Sequence, residues 1–258
     1  YSFEKYLEKY SKPDIGRDLD WPPYDRVHET EDEVEYIRAK YAALVSMCDE
    51  NLGRVLDMMD KYHLWEDTML IVNSDHGFLL GEHGWWAKNI MPCFNEIVNI
   101  PLFIWDPRYK KKGERRGQLV QTIDLAPTLL DYFKCKRPKD MMGCPLNRVI
   151  ADNMPVRDYA LFGYHANQMN ITDGRYVYMR SAADRGVKLY EYTLMPTRMN
   201  TRMGKELENI TLAGPFGFTK NMPVLKILAP AGTDQITSEY GSMLFDLEKD
   251  PQQHSPIK

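Results

Sequence analysis

No apolar run in this sequence approaches the roughly 20 residues that cross a bilayer, and no leader-like pattern of charge, apolar stretch and small residues opens it. A membrane partner is therefore not expected, although a chain that begins at Tyr1 leaves export unread. Basic excess is missing too. The 33 Lys and Arg against 37 Asp and Glu give a formal net charge of -4, which leaves no electrostatic footprint for nucleic acid. Four cysteines, Cys48, Cys93, Cys135 and Cys144, show no paired spacing, so neither a disulfide framework nor a zinc site is indicated. A reducing, cytoplasmic setting is the expectation. Internal repeats and low-complexity segments are absent. With 258 residues, 43% of them hydrophobic, the chain can bury a substantial core as one large domain or two smaller ones.

What is present concentrates between Asn73 and Lys88. The run Asn73-Ser74-Asp75-His76-Gly77-Phe78-Leu79-Leu80-Gly81-Glu82-His83-Gly84-Trp85-Trp86-Ala87-Lys88 follows the apolar Met69-Leu70-Ile71-Val72 directly. A short β-type apolar run ending in polar residues reads as a buried strand that delivers its last side chains to a sheet rim, where ligands of open α/β sheets bind. Asp75 offers a hard oxygen and His76 an imidazole nitrogen suited to one divalent cation. Gly77, Gly81 and Gly84 permit tight backbone around them. Lys88 adds a mobile positive charge for an anionic group. The plain alternatives are a polar surface loop for the Asp-His pair and a solvated surface amine for Lys88.

Ser74-Asp75-His76-Gly77, Leu80-Gly81-Glu82-His83-Gly84 and Trp86-Ala87-Lys88 together resemble the sulfatase family of the alkaline-phosphatase superfamily. So do Asn99-Ile100-Pro101-Leu102-Phe103-Ile104-Trp105 and Gln121-Thr122-Ile123-Asp124-Leu125-Ala126-Pro127-Thr128-Leu129-Leu130. Farther on, Asn170-Ile171-Thr172-Asp173-Gly174-Arg175-Tyr176-Val177-Tyr178-Met179-Arg180 and Met243-Leu244-Phe245-Asp246-Leu247-Glu248-Lys249-Asp250-Pro251 extend the similarity over most of the chain. The resemblance implies an α/β fold, the second half of an alkaline-phosphatase-like doubly wound sheet followed by a small antiparallel-sheet subdomain. On this reading residues 1–150 are the C-terminal part of the catalytic domain and residues 151–258 the subdomain. It implies Asp75 and His76 as ligands of a divalent metal, with calcium usual and magnesium or manganese possible. Lys88 is implied as the contact to sulfate oxygens. His83 either meets the leaving-group oxygen, holds a metal ligand in place, or simply secures the glycine turn. Trp85 and Trp86 wall a pocket or pack in the core, and His165 and Asn167 read as surface loop.

The family's nucleophile segment, Cys-x-Pro-Ser-Arg or Ser-x-Pro-x-Arg, is not found in the sequence. Gly143-Cys144-Pro145-Leu146-Asn147-Arg148 lacks its Pro and Ser positions, so Cys144 is not assigned a catalytic role. The resemblance therefore implies the C-terminal portion of a sulfuric ester hydrolase, with formylglycine and further metal carboxylates on a missing N-terminal segment. That segment is the implied partner, beside a sulfated small molecule or carbohydrate substrate. In the implied reaction one hydroxyl of the aldehyde hydrate attacks sulfur, the alcohol departs, and the other hydroxyl helps expel sulfate. Alone, the chain is expected to be inactive and to bind metal weakly. Two other readings stand beside this one: a phosphate or phosphonate ester hydrolase of the same superfamily, and a noncatalytic binding fragment.

Periodicity supplies the remaining elements. Tyr1 to Pro23, broken by prolines and glycine, reads as a covering segment or surface connection. Thr30 with Glu33 makes a capping box, and Val34, Ile37, Tyr41, Leu44, Cys48, Leu52, Val55 and Met59 recur at helical spacing, predicting a long helix that ends near His63. Cys48 is expected to be buried on that stripe. Strands are expected at Met69–Val72 and Pro101–Trp105, and a helix between Gln118 and Phe133 that tolerates Pro127 only near its first turn. This order predicts a largely parallel sheet. Short runs at Tyr159–Phe162, Tyr176–Met179, Leu189–Tyr192 and Met243–Phe245 predict a small antiparallel sheet.

Overall fold

The computed structural model describes residues 3–20, 22, 24–164, 168–181, 188–195, 197, 202–229 and 239–257; His165 and Asn167 lie outside them. The chain divides into two compact units, residues 1–91 with 96–113, and residues 92–95 with 114–258.

The first unit is organised by one long helix. After the short α1 (Glu4–Leu7), α2 (Glu31–Lys61) begins at Thr30, whose hydroxyl accepts from the Glu33 amide while the Glu33 carboxylate accepts from the Thr30 amide at 2.9 Å. This reciprocal cap satisfies two amides that the first turn leaves without helical partners. The helix stops at Tyr62, and His63 turns away in the left-handed region at φ 54°. Two faces of α2 are buried. Ala39 and Ala43 pack on Tyr6 and Leu7, while Ile37 packs with Trp86 and Ala87. Cys48 is exposed, contrary to expectation, and Val55 is exposed as well. Packing follows the small alanines, where α1 approaches closely, so the broad apolar stripe read from spacing is only partly covered beyond Leu44.

β1 (Leu70–Asn73) follows, then a hairpin of β2 (Leu79–Leu80) and β3 (Trp86–Ala87), the short α3 (Asn95–Val98) and β4 (Leu102–Trp105). β1 and β4 pair antiparallel, Leu70 opposite Trp105 and Asn73 opposite Leu102. The expected parallel arrangement is corrected, since every strand pairing among the described residues is antiparallel. A parallel pair needs a crossover helix lying on the sheet face. The connection from β1 to β4 instead holds a hairpin and a four-residue helix. At the far end of β1, the Trp105 indole donates to the Trp65 carbonyl at 3.0 Å and the two rings meet edge to face.

In the second unit, a single turn at Thr122–Asp124 leads into α4 (Leu125–Tyr132), and α5 (Asn147–Asp152) follows. The helix thus starts later than Gln118, which puts Pro127 in its first turn, where the missing amide costs no helical bond. Asp124, fully buried, organises this region. Its carboxylate accepts from the Gln121 and Cys144 amides at 2.8 Å each and from both terminal nitrogens of Arg157. The Asp124 carbonyl accepts from the Thr128 hydroxyl at 2.6 Å, and that hydroxyl accepts from the Leu146 amide.

Among the described residues seven strands complete this unit: β5 (Ala160–Gly163), β6 (Met169–Thr172), β7 (Tyr176–Arg180), β8 (Tyr190–Thr193), β9 (Thr211–Ala213), β10 (Val224–Leu228) and β11 (Met243–Asp246). They form one sheet in the order β11-β7-β6-β5 and another in the order β8-β10-β9. The strict alternation of β7 buries Val177 and Met179 and exposes Tyr176, Tyr178 and Arg180, as expected for a sheet with one wet face. The four strands read from the sequence are present within a residue or two. β6, β9 and β10 are additional.

Candidate active site

Three of the residues singled out by the sequence meet where β1 ends. Asn73 is the last strand residue, and Ser74 turns the chain by donating its hydroxyl to the His76 carbonyl at 2.7 Å. Asp75 then caps the His76 amide with Oδ1 at 3.0 Å, which leaves its other oxygen, Oδ2, facing the His76 ring at 3.2 Å from Nε2. The His76 Nδ1 lies 2.9 Å from the Gly77 carbonyl. A carbonyl only accepts, so Nδ1 carries the proton and Nε2 presents its lone pair. Lys88, delivered by the turn after β3, places its ammonium against the same Nε2.

Oδ2 and Nε2 are therefore two acceptors 3.2 Å apart, a pair that the Lys88 ammonium already faces at Nε2 and that a cation suits. Ligands of one divalent ion stand at such separations when each lies about 2.0–2.5 Å from the metal. The donor chemistry thus fits a divalent cation held by Asp75 and His76. The fit is partial, because among the described residues no cluster of three or more His, Cys, Asp or Glu side chains converges as a metal site. Partial burial alone would raise the Asp75 carboxyl. The His76 ring, the His76 and Asp75 amides and Lys88 together hold it below the usual carboxylate range. The Asp75 side chain is 82% exposed, so its open oxygen is accessible.

Gly77 explains how the loop is held. Its amide donates to the Ile97 carbonyl at 2.7 Å, and a Cβ on it would lie 1.8 Å from the Glu96 carbonyl oxygen. No other residue fits without moving backbone. His83 occupies the hairpin turn between Gly81 and Gly84 in the left-handed region, with φ of 56°. Its side chain is 7% exposed, and Nε2 lies 3.4 Å from Glu96 Oε2. Glu96 thus touches the site region twice, through its carbonyl at Gly77 and its carboxylate at His83. Nothing in the spacing of the sequence pointed to it.

Trp85 and Trp86 are core rather than pocket wall. Both are buried, the Trp86 indole donates to Glu29 at 2.6 Å, and the Arg26 guanidinium stacks on Trp85 with 3.9 Å to the ring centroid. The backbone of Asp25–Val27 runs alongside the turn, accepting from the Trp86 amide at Asp25 and donating to Gly84 from Val27. Arg38 of α2 adds a bond from Nε to the Leu80 carbonyl at 2.9 Å. Cysteine chemistry is not offered by Cys93, whose thiol burial pushes up to about 12, against the opposing pull of Tyr164 and Asn170. Cys144 is tied by its amide to Asp124, and the preceding Gly143 packs against the Ile123 backbone.

The sulfatase family profile matches residues 1–135, just over half of the chain, and the profile of the N-sulphoglucosamine sulphohydrolase C-terminal region matches residues 81–207. The chain therefore belongs to the sulfatase family. Among curated proteins it is 30% identical over 185 residues to an N-acetylglucosamine-6-O-sulfatase of Bacteroides thetaiotaomicron, covering 66% of this chain and 32% of that protein. It is 32% identical over 126 residues to the multifunctional alkaline phosphatase superfamily protein PehA of Trinickia caryophylli, covering 48% of this chain and 24% of the other. A protein solved in complex with its substrate D-glucosamine-2-N,6-O-disulfate shares the fold, with a TM-score of 0.58 at 20% identity over 87% of this chain and 37% of that one. The chain thus spans a third or less of the length of these curated relatives. No helix among the described residues is long and apolar enough to cross a membrane.

Proposed function

We propose that this chain forms part of a metal-dependent sulfatase that hydrolyses a sulfate ester of a carbohydrate or other small molecule. The observation that carries the reading is the meeting of Asp75 Oδ2, His76 Nε2 and the Lys88 ammonium at the end of β1. Asp75 and His76 are the residues that hold the cation; the carboxylate favours calcium and also suits magnesium, and the imidazole admits manganese. When bound, the cation supplies Lewis acidity toward the non-bridging sulfate oxygens. Lys88 binds the same anionic group and stabilises charge that grows as the ester bond breaks. His83, sealed against Glu96, suits holding the glycine turn better than reaching a leaving-group oxygen. The remaining donors and the formylglycine nucleophile are assigned to the rest of the protein, with residues 1–150 as catalytic-domain portion and 151–258 as subdomain. The N-acetylglucosamine-6-O-sulfatase relative makes sulfated glucosamine the first substrate class to test.

A phosphate or phosphonate ester hydrolase is the second reading, supported by the multifunctional alkaline phosphatase superfamily relative. Calorimetric titration of the chain with calcium and with manganese tests the first. Weak binding is expected, falling at least about tenfold in Asp75→Asn and in His76→Ala, with no turnover of an arylsulfate by the isolated chain. Equal affinity in the variants and the parent would overturn the cation assignment. Competition by sulfate or by phosphate on the metal-loaded chain separates the two ester classes.

A further inference from the structure

The three-stranded sheet of the second unit carries a surface that the proposed hydrolytic site does not use. Lys226 of β10 stands opposite Tyr192 of β8 and Thr211 of β9, and Leu228 stands opposite Tyr190. Opposed residues share a face, so Tyr190, Tyr192, Thr211, Lys226 and Leu228 line one side. Val224, buried at the start of β10, shares that side, and the other side carries Ile227 and Glu191, both buried, with Leu212 exposed at the β9 edge. On the outer side the Lys226 ammonium lies 3.9 Å from the centroid of the Tyr190 ring. Tyr192 meets Phe216 edge to face at 5.3 Å, and Phe216 stacks on Phe218 at 5.6 Å with an interplanar angle of 9°. These three rings remain 46%, 40% and 58% exposed, an unusual expenditure of aromatic surface.

The rings are held rigidly. Thr219, 6% exposed, donates its amide to the Phe216 carbonyl at 3.0 Å, and its hydroxyl lies 2.9 Å from the carbonyl oxygens of both Phe216 and Met222. A turn pinned in this way lowers the ordering cost of presenting Phe216 and Phe218. β9, Phe216, Phe218 and β10 also fall beyond residue 207, outside both matched family regions. Tyr190 and Tyr192 of β8 lie inside the region matched at residues 81–207, so the face straddles the end of that match.

We propose that this face is a carbohydrate-docking platform for a sulfated glycan, separate in role from the hydrolytic site. Pyranose rings present flat arrays of C–H bonds, whose partial positive charge complements the negative faces of aromatic rings; Tyr192 and Phe218 are the more exposed of the three, and Phe216 contacts both. Among the residues paired on this side of the sheet the charged one is Lys226, Glu191 of β8 lying on the opposite side, and its ammonium has the right sign for a sulfate group on the same sugar. Aromatic stacking gives affinity and the ammonium gives preference for the sulfated form. The choice of a sulfated sugar as occupant rests on the proposed function.

The test is binding to a heparin hexasaccharide and to its desulfated counterpart, measured by calorimetry without any requirement for hydrolysis. Tyr192→Ala and Phe218→Ala are expected to weaken binding of the sulfated form by about tenfold each. Lys226→Gln is expected to remove the preference for the sulfated sugar while leaving binding of the desulfated one unchanged. Both effects should leave the thermal midpoint nearly unmoved, because the substituted side chains are outward-facing. Unchanged affinity in all three variants overturns the platform. So does concentration-dependent self-association abolished by Phe218→Ala, which would make the face a contact between copies. A chain that binds the hexasaccharide through these residues yet hydrolyses nothing, even when completed by a nucleophile segment, would sustain the platform and sink the hydrolase reading alone.

Discussion

Two aspartates of this chain show how environment divides structure from function. Asp124 has no exposed surface, and its carboxylate is consumed by the Gln121 and Cys144 amides and by a paired contact with Arg157. Asp75 is mostly exposed, caps one amide with Oδ1, and holds Oδ2 beside an imidazole lone pair. A carboxylate whose lone pairs are filled from within the fold locks backbone together. One left with an open oxygen next to a second acceptor is suited to an added cation. Asp75 follows Asn73-Ser74 and Asp124 follows Thr122-Ile123, and it is the partners in space that separate them.

The sharpest way to break this contrast is to truncate both. Asp124→Ala strips Arg157 of its buried partner and two amides of their acceptor, and should cost about 3–5 kcal/mol, read as a lower midpoint in denaturant unfolding. Asp75→Ala should change stability by no more than about 0.5 kcal/mol while abolishing cation binding. Comparable destabilisation by the two would show that Asp75 is as structural as Asp124. An intermediate effect is expected of Gly77→Ala. The added methyl drives into the Glu96 carbonyl, so the loop must shift at a cost of about 1–3 kcal/mol, with loss of cation affinity even though every donor is retained. Retained affinity would show that the loop's position does not matter.

The smallest effect concerns acid. Asp246, beside the Arg175 guanidinium, and Asp173, which accepts from the Tyr176 and Arg175 amides, are both held below the usual carboxylate range. A carboxyl depressed in the folded state adds stability that is fully present above its ordinary value and disappears as pH falls through the lowered one. Unfolding midpoints should therefore fall from about pH 4 downward, and Arg175→Met should flatten that slope. An unaltered slope in Arg175→Met would remove the Asp246 pairing from the account.

The sequence disclosed what is local. The Thr30–Glu33 cap lies within one helical turn, the Asp75-His76-Gly77 loop and Lys88 within one hairpin, and β7 within one alternating run. Each is set by neighbours in the chain. Strand direction was misread, because helix, strand, loop and strand in series resemble a crossover unless the connection is known to lack a helix long enough to cover the sheet. Cys48 was misplaced because its apolar spacing matched the stripe while α1 covered the alanine face. Arg157 on Asp124 and Glu96 on His83 pair residues 33 and 13 positions apart, and nothing in residue type or period selects those partners over other charged side chains.

Cys93 gives the second unit an internal chemical gauge. The residue is 3% exposed and burial pushes its thiol up to about 12, so an alkylating reagent at neutral pH finds a closed, protonated thiol. Cys48 and Cys135 stand open to the same reagent. Modification of Cys93 in the native chain therefore requires the packing around it to part, and at reagent concentrations high enough to outpace reclosing the labelling rate is the rate of opening.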